Sequence, residues 1–449
     1  MGNKVRIFQV LGKPVYNEFS YRFEESYTGR RILLSQFLAE DVLPDKYDNI
    51  EAIYLVPMSL YNDLDTIKKL VDKFHHIAAV GHYAVSKDKE GKEKVEKFSK
   101  LKDFGVRNVD EVIQGKEIHQ VHFSIPSEFI YYSLLYWFVK SVLQEYSIIV
   151  DISTGLNVFT YRTIDALHRI VDFYNFSKGR DLKFQIAYME PAIGTSSEEI
   201  NVYMDSVSSS FKLGFPFSYP EVENLNKRVK ANLNIDLKDI PKKAFFHYKA
   251  FVSNAPLFLF QYDRHSIDEI EGKIEEINDA LRRLIEENYY SMIENGKLIV
   301  YSKTTIHVLQ EIDKILEMLF LYMGMVRLLD RNGVPRKAKR VSTRKLKNFS
   351  EKVLKKELKA MVNAYVLEFE LGERFEKEKY KTMMTPKFRP FITIRKGQDP
   401  NINEVEPRDF FAHAGLEWNA VEVSRRGEQV YLKYNEEFLK KKVFEILEK

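Results

Sequence analysis

The sequence predicts an α/β protein, with a Rossmann-like, mostly parallel sheet in an amino-terminal domain and a mainly α-helical carboxy-terminal domain. Over roughly the first two hundred residues, short runs rich in β-branched residues alternate with segments of helical apolar spacing. Beyond residue 220, long amphipathic patterns replace the short runs. A length of 449 residues and a hydrophobic content of 45% allow two or three folded domains.

The amino-terminal domain, residues 1–220, is predicted to hold alternating strands and helices. The predicted strands are residues 5–11, 52–56, 77–80, 121–125, 148–152 and 182–189. Apolar residues recur at helical spacing over 134–143 and 164–174, and this alternation favours a parallel sheet covered on both faces. Residues 202–217 predict a closing hairpin or edge strand, and Pro216 and Pro220 mark the domain boundary.

The carboxy-terminal domain, residues 221–449, is predicted to be helical. It begins with linker helices near 221–340, and its amphipathic segments are residues 267–288, 305–329 and 350–380. An irregular insertion is expected near 381–405. Pro407 then fits the first position of a helix, where its missing N–H costs nothing. Residues 421–434 predict a hairpin before a last helix.

Several classes of site are excluded by composition. The absence of cysteine rules out disulfides, thiolate metal sites and a cysteine nucleophile. No two glycines are two positions apart, so the glycine-rich loops of dinucleotide and nucleoside triphosphate sites are missing. No histidines have ligand spacing, and we predict no metal site. The start of the chain lacks a signal peptide pattern and no apolar run could span a bilayer, so we expect a cytoplasmic protein without membrane contact.

The charge of the chain is unevenly distributed. Residues 331–359 contain twelve Lys or Arg against two Glu, a net charge of +10, whereas the whole chain is only +4. The rest of the chain therefore sums to −6. Such a segment is typical either of a phosphate-rich partner or of a solvated helix face.

A loop after the strand at 148–152 is the first candidate binding site. In a doubly wound sheet, ligands bind at the carboxyl ends of the strands, and the helix that follows favours negative charge at its start. This loop supplies hydroxyl groups, a glycine for close backbone approach and an amide, from Ser153, Thr154, Gly155 and Asn157. The same residues would also serve as a helix cap. A second candidate is the loop after the first strand, with Gly12 and Lys13.

Arg408 and His413 suggest metal-independent RNA cleavage. When the ribose 2′-OH attacks the adjacent phosphate, catalysis requires a proton acceptor, a proton donor and positive charge. Histidine exchanges protons near neutral pH, and arginine binds phosphate oxygens with a fixed fork of donors. Asp409 could orient Arg408 or cap the helix. Since one motif offers one histidine and two proton carriers are needed, a twofold homodimer is expected.

Spacing alone does not identify the catalytic pair. Arg162 and His168 show a similar spacing within the helix that follows the Asp151 loop. Their simple interpretation is helix surface and packing. We therefore expect alanine at either position to leave activity unchanged.

Taken together, these motifs resemble a known family. A Rossmann-like domain with Asp-Ile-Ser-Thr-Gly-Leu-Asn after a central strand resembles the CARF domain, and a helical domain with Arg-Asp-Phe-Phe-Ala-His-Ala-Gly resembles the HEPN ribonuclease domain. The pair, in this order, is similar to the type III CRISPR accessory ribonucleases. The opening Ile-Phe-Gln-Val-Leu-Gly-Lys-Pro also resembles the first strand and loop of that family.

The resemblance implies a homodimer, with a higher oligomer left open, whose CARF domains bind a cyclic oligoadenylate. Cyclic tetra-adenylate is the expected activator, and no cofactor is required. Binding would activate metal-independent cleavage of single-stranded RNA at the HEPN dimer interface, leaving 2′,3′-cyclic phosphate and 5′-OH ends. The catalytic pair would be Arg408 and His413, with Asp409 beside them. The activator would be bound by Gly12, Lys13, Ser153, Thr154, Gly155 and Asn157.

Two other functions remain open from the sequence. A CARF-like sensor with a winged-helix DNA-binding region would be a ligand-responsive transcription regulator, with the 421–434 hairpin as its wing. A catalytically silent RNA-binding module would bind RNA with a steep salt dependence and leave it intact.

Overall fold

The computed structural model describes residues 3–12, 18–71, 76–80, 85–87, 96–153, 157–177, 181–190, 199–208, 214–355 and 364–449. The chain divides into two compact units. The first unit comprises residues 1–212 and 274–316, and the second comprises residues 213–273 and 317–449. This division differs from the predicted domains, because residues 274–316 belong to the first unit.

The strands of the first unit fall into two sheets. The described strands of the chain are β1 (Lys4–Val10), β2 (Phe19–Phe23), β3 (Tyr27–Arg31), β4 (Asn49–Pro57), β5 (His76–Val80), β6 (Val85–Lys87), β7 (Gln120–Ser124), β8 (Ser147–Asp151), β9 (Phe184–Met189), β10 (Glu199–Ser206), β11 (Tyr289–Glu294), β12 (Lys297–Ser302), β13 (Val341–Ser342), β14 (Arg389–Pro390), β15 (Val421–Arg426) and β16 (Gln429–Tyr434). Strands β1 to β12 belong to the first unit, and β13 to β16 belong to the second.

The larger sheet confirms the Rossmann-like prediction. Its described strands have the order β3-β2-β10-β9-β8-β1-β4-β5, and the run from β9 to β5 is parallel. At its centre, Ile7 of β1 pairs with Ala52 of β4 on one side and with Ile149 of β8 on the other. All three side chains are buried, as expected of parallel strands covered on both faces.

The closing hairpin or edge strand predicted at 202–217 corresponds to β10, which is a strand but does not lie at the edge of the sheet. β10 pairs antiparallel with β9 and also parallel with β2. β2 and β3 form a hairpin that extends the sheet further. That hairpin was not predicted from the sequence.

A second sheet has the order β11-β12-β7-β6. The strand predicted at 121–125 forms as β7, but the prediction that it joins the parallel sheet is wrong. β7 instead pairs parallel with β12, with Phe123 opposite Val300. Both side chains are fully buried, so apolar burial on this sheet draws residues 297–302 into the first unit.

The described helices occur in both units. They are α1 (Leu34–Phe37), α2 (Leu64–Val71), α3 (Glu96–Ser99), α4 (Val109–Ile113), α5 (Glu128–Leu143), α6 (Asn157–Ser177), α7 (Tyr219–Leu233), α8 (Ile240–Val252), α9 (Pro256–Gln261), α10 (Ile267–Glu286), α11 (Ile306–Arg331), α12 (Thr343–Phe349), α13 (Ala364–Glu370), α14 (Glu378–Lys381), α15 (Phe391–Lys396), α16 (Pro407–Ala412) and α17 (Val443–Glu448). None of the described helices is both long and apolar enough to cross a membrane.

Helix α5 is apolar on nearly all sides and packs against α6 in the first unit. Phe138 of α5 meets Phe8 of β1 edge to face, with ring centroids 4.8 Å apart. The α5 helix therefore covers the centre of the sheet. Such an all-round apolar helix is typical of a core position rather than of a surface.

The second unit is mainly helical, as predicted. Its last helix, α17, packs on α8, where Phe444 meets Phe246 at 4.7 Å. A buried Arg264 donates to the backbone oxygen of Pro335 (2.9 Å) and pairs with Asp330 (2.6 Å). This arginine ties the segment after α11 to the rest of the unit.

A small sheet of order β13-β16-β15-β14 completes the second unit. The predicted hairpin is confirmed as β15 and β16, which pair from Val421 with Tyr434 to Arg426 with Gln429. The insertion near 381–405 is more ordered than expected, since it contains β14 and α15. Helix α16 begins at Pro407, which confirms that prediction.

Candidate functional site

The predicted catalytic residues lie on and just after the short helix α16. Phe410 is fully buried, with its ring 6.2 Å from that of Tyr434 and 5.7 Å from that of Phe438. Arg408 and Asp409 are exposed on the same helix. A six-residue helix is too short to be stable alone, so the Phe410 anchor fixes it.

The turn after α16 is held by close backbone packing. Ala414 and Gly415 have φ values of +53° and +72°. The hydroxyl of Tyr434 donates to the backbone oxygen of Gly415 at 3.0 Å. A Cβ at position 415 would lie 2.9 Å from that hydroxyl and 3.0 Å from Ala255. This tight turn directly follows His413 and fixes the backbone from which its imidazole projects.

His413 is paired with a buried carboxylate that the sequence did not reveal. Its Nδ1 lies 3.2 Å from Oε1 of Glu370, at the end of α13. The side chain of Glu370 is only 3% exposed, and its Oε2 lies 2.9 Å from Nε of Arg374. Burial raises the pKa of Glu370, and the charges of Arg374 and His413 oppose this shift.

The Glu370 contact determines what His413 can do chemically. A carboxylate accepts hydrogen bonds but donates none, so Nδ1 of His413 carries the proton shared with Glu370. In the neutral imidazole, Nε2 then bears the lone pair and can accept a proton from a substrate. The pair is therefore suited to general base catalysis.

Arg408 and Asp409 take no part in the contact between His413 and Glu370. Within the described ranges, Arg408 forms no hydrogen bond or ion pair with another side chain, and Asp409 is not bonded to it. The two proposed roles of Asp409, orienting Arg408 and capping the helix, find no support in these contacts. Arg408 is left exposed and available to an anion.

Cationic side chains lie over the ring of Trp418, beside His413. The indole and imidazole rings are nearly parallel (15°), with centroids 6.4 Å apart. The guanidinium carbon of Arg395 is 3.3 Å from the centroid of the indole, and that of Arg374 is 5.0 Å away. We call Arg374, Arg395 and Trp418 the Trp418 cluster. Its members come from three separate segments, so no local spacing in the sequence could indicate it.

The predicted ligand loop begins at a buried carboxylate, Asp151, at the end of β8. Its Oδ1 accepts from the backbone N–H of Ser153 at 2.8 Å. Burial raises the pKa of Asp151 to about 6, against the hydrogen bonds from Ser153. Asn157 is the first residue of α6, while Thr154 and Gly155 lie outside the described residues. Ser153 is the one loop hydroxyl whose position is described.

Three further polar side chains surround Asp151. Gln9 pairs in register with Asp151 on β8 and with Tyr54 on β4. The hydroxyl of Ser35, on α1, donates to Gln9 and lies 3.2 Å from that of Tyr54. Gln9, Ser35, Tyr54 and Asp151 form what we call the strand-end polar cluster, at the carboxyl ends of three parallel strands.

The second predicted loop starts beside this cluster. Gly12 lies two residues after the end of β1 and is half-buried, and Lys13 lies outside the described residues. The cluster explains why this edge of the sheet is polar, but its members were missed because Gln9 and Tyr54 lie within otherwise apolar strands. Among the described residues, no three His, Asp or Glu side chains form a group able to hold a metal ion.

Arg162 forms hydrogen bonds with neighbouring side chains in the first unit. It donates to the hydroxyl of Ser127 (3.1 Å) and to Glu128 (3.0 Å), at the start of α5. His168 is exposed on α6. These contacts agree with the interpretation of this pair as helix surface and packing.

Two family models match the chain. The model described as CRISPR system endoribonuclease Csx1, CARF domain, matches residues 7–191, and the model described as CRISPR system endoribonuclease Csx1, HEPN domain, matches residues 350–436. A comparison with curated proteins finds no match. The first match includes the strand-end polar cluster, and the second includes Glu370 and His413.

The HEPN match also spans the β15–β16 hairpin, which the winged-helix alternative needs as its wing. The hairpin therefore belongs to a ribonuclease domain. The two matches lie in the order expected from the motifs and together cover more than half of the chain. The chain belongs to the CARF–HEPN family of CRISPR-associated accessory ribonucleases.

Proposed function

We propose that this ribonuclease cleaves single-stranded RNA without a metal ion, as a homodimer activated by a cyclic oligoadenylate in type III CRISPR antiviral defence. The observation that carries the proposal is the contact of 3.2 Å between His413 and the buried Glu370. The exposed Arg408 lies on α16, the helix that ends directly before His413. Together they supply a proton acceptor with a fixed tautomer next to a permanent cation.

The chemistry follows from these groups. Nε2 of His413 takes the proton of the ribose 2′-OH while the 2′-oxygen attacks the adjacent phosphorus. Arg408 neutralises the negative charge of the phosphorane. The bond to the 5′-oxygen breaks, and a second protonated histidine gives that oxygen its proton. The products are a 2′,3′-cyclic phosphate and a 5′-OH end.

A homodimer would supply the second histidine from its other copy. We propose that the two copies of α16 face each other across a twofold axis, so that one His413 acts as base and the other as acid. The protein would then act in the cytoplasm on RNA that reaches this shared groove.

The strand-end polar cluster supports an adenylate activator. Gln9 and Asp151 place polar groups at the sheet edge where doubly wound folds bind ligands. We propose that Gly12, Lys13, Ser153, Thr154, Gly155 and Asn157 bind the ring of cyclic tetra-adenylate. A ring with internal symmetry suits a site formed by two identical copies.

The decisive experiment uses labelled single-stranded RNA in excess EDTA, with and without cyclic tetra-adenylate. We expect cleavage only with the activator, products ending in 2′,3′-cyclic phosphate, and loss of cleavage in His413→Ala. His168→Ala is the matched control and should cut as fast as the wild type.

Three results would overturn the proposal. Equal cleavage by His413→Ala would remove its catalytic role, and a requirement for a divalent ion would exclude the mechanism. Binding of RNA that stays intact under all conditions would favour the catalytically silent module.

A further inference from the structure

The Trp418 cluster has more positive than negative charge available to it. Glu370 pairs with Arg374, whereas Glu417 accepts from the backbone N–H groups of Asn419 (2.6 Å) and Ala420 (3.2 Å). Arg395 forms no ion pair with any described carboxylate. The guanidinium of Arg395 lies over the indole ring, and its charge also acts on Glu370. Nζ of Lys396 is 5.1 Å from the same ring centroid, so three cations stand against the two carboxylates Glu370 and Glu417, and the cluster can still accept a negatively charged ligand.

The cluster also contains donors without acceptors. Nη1 of Arg374, Nη1 of Arg395 and Nε1 of Trp418 are all buried and have no hydrogen-bond partner among the described residues. Unmet buried donors are costly and uncommon in folded proteins. Three of them lie in one cluster, together with the unmatched Oε2 of Glu370, and a bound anion would supply the acceptors that these donors lack.

These donors have the chemistry of a phosphate site. Guanidinium groups present parallel donors that match the oxygens of a phosphodiester. The stack on the indole holds Arg395 in place, since its guanidinium carbon is 3.3 Å from the ring centroid. Arg374 is partly exposed, and rotation of its terminal torsions can present Nη1 to a ligand.

The position of the cluster identifies the ligand. Trp418 lies parallel to the imidazole of His413, at a centroid separation of 6.4 Å. An anion held here is therefore next to the residue that would take the proton of the ribose hydroxyl. An RNA strand carries such an anion at every nucleotide, and a neighbour of the cleaved phosphate would lie close by.

We propose that Arg374, Arg395 and Trp418 form a subsite for a phosphodiester of the RNA strand next to the one that is cleaved. This subsite holds the strand so that the scissile phosphate faces His413. The inference rests on the proposed function for the identity of the substrate, and its test measures binding rather than cleavage.

The test uses the full chain carrying His413→Ala and a labelled single-stranded RNA that stays uncut, with affinity measured over a series of salt concentrations. Adding Arg395→Ala should weaken binding about tenfold and reduce the slope of log affinity against log salt by about 0.7, the value of one phosphate contact on a single strand. Trp418→Phe keeps an aromatic ring but loses the Nε1 donor, and should weaken binding without changing the slope.

Arg426→Ala is the matched control, since it removes an exposed arginine of the same unit at the end of the β15–β16 hairpin. It should change neither affinity nor slope. If Arg395→Ala proves unfolded, Arg395→Lys decides instead. That variant keeps the charge but loses the fork, so we expect a weaker affinity with the wild-type slope.

The outcomes separate this inference from the proposed function. If Arg395→Ala is folded and binds RNA with unchanged affinity and slope, the cluster is only a structural stack and the subsite is wrong. If Arg395→Ala is unfolded and Arg395→Lys binds RNA as tightly as the parent, the subsite is also wrong. If Arg395→Ala lowers the slope but the protein with His413 intact never cleaves RNA, the subsite is supported and the nuclease mechanism is refuted.

Discussion

Glu370 orients the imidazole of His413 and thereby distinguishes it from an isolated surface histidine. Replacing it with glutamine keeps the size of the side chain but removes the charge beside the imidazole. We expect Glu370→Gln to lower kcat about tenfold to a hundredfold, the usual range for a group that orients a functional histidine. KM for RNA should stay nearly unchanged, because Glu370 is buried and does not reach the substrate.

The pH profile distinguishes this role from a structural one. Burial raises the pKa of Glu370, so the wild-type rate should fall as pH drops and the carboxylate takes a proton. The glutamine variant should lose the part of that fall that comes from protonation of the carboxylate. An unchanged profile in Glu370→Gln would show that the contact only supports the fold.

Asp151 predicts a dependence of stability on pH. Its pKa is raised from 3.8 to about 6, so the folded state binds a proton that the unfolded state has already lost between these values. The contribution of Asp151 to stability is therefore greatest below about pH 4 and declines by about 3 kcal/mol as pH rises through 6.

Asp151→Asn should remove this decline, because an amide does not titrate. Urea unfolding should give similar free energies for both proteins at about pH 4 and a more stable variant above about pH 7. The same substitution at the exposed Asp399 controls for the lost charge. A constant difference across this pH range would contradict the prediction.

At the scale of single residues, the sequence could indicate only the chemistry that lies within one segment. Arg408 and His413 are recognisable because they lie five positions apart, on and directly after one helix. Glu370 reaches His413 from another segment, as Arg374 and Arg395 reach Trp418, and their proximity depends on packing that has no local pattern. The same holds for Ser35, which joins Gln9 from a different element.

At the scale of elements, the turn after α16 has a strict steric requirement. Gly415→Ala places a Cβ within 3.0 Å of Ala255, at a φ of +72°. Gly397, after α15, has a nearly equal φ of +68° but open space around its Cα. We expect Gly415→Ala to lower stability by about 2 to 4 kcal/mol and Gly397→Ala by about 1 kcal/mol.

Thermal unfolding of the two variants measures this difference directly. RNA cleavage should also fall in Gly415→Ala, since the turn fixes His413, and should be retained in Gly397→Ala. Equal losses of stability would mean that backbone conformation alone, and not the approach of Ala255, determines the cost.

The hairpin of β11 and β12 shows a different limit of sequence interpretation. Asn295 and Gly296 occupy its two-residue turn with φ of +52° and +73°, a strong hairpin sequence. The turn lies between the long helices α10 and α11, and their amphipathic patterns dominated the prediction for that region. The parallel partner of β12 is β7, which is far away in the sequence and cannot be found from local patterns.

At the scale of the whole molecule, the proposed dimer has a candidate contact surface on α13. Tyr365 and Phe369 are 73% and 61% exposed and lie four residues apart on one helical face, immediately before Glu370. Large exposed apolar side chains in such an arrangement are typical of an interface. Their position next to Glu370, which orients His413, suits an interface that contains the proposed catalytic groove.

Phe369→Glu should therefore shift the protein from dimer to monomer in sedimentation experiments and reduce RNA cleavage at least tenfold. Met383→Glu is a matched control, because Met383 is 49% exposed and lies on another segment of the same unit. A dimer that remains intact in Phe369→Glu would place the interface elsewhere.

The sheet that joins β7 to β12 limits which fragments of this protein keep all their strands paired. A fragment ending at residue 220 would contain β7 and β6 but not β11 and β12. The free side of β7 would then present unpaired backbone N–H and C=O groups, which readily pair with other chains and lead to aggregation. The first unit is thus encoded in two pieces, and any fragment or fusion meant to contain it whole must also carry residues 274–316.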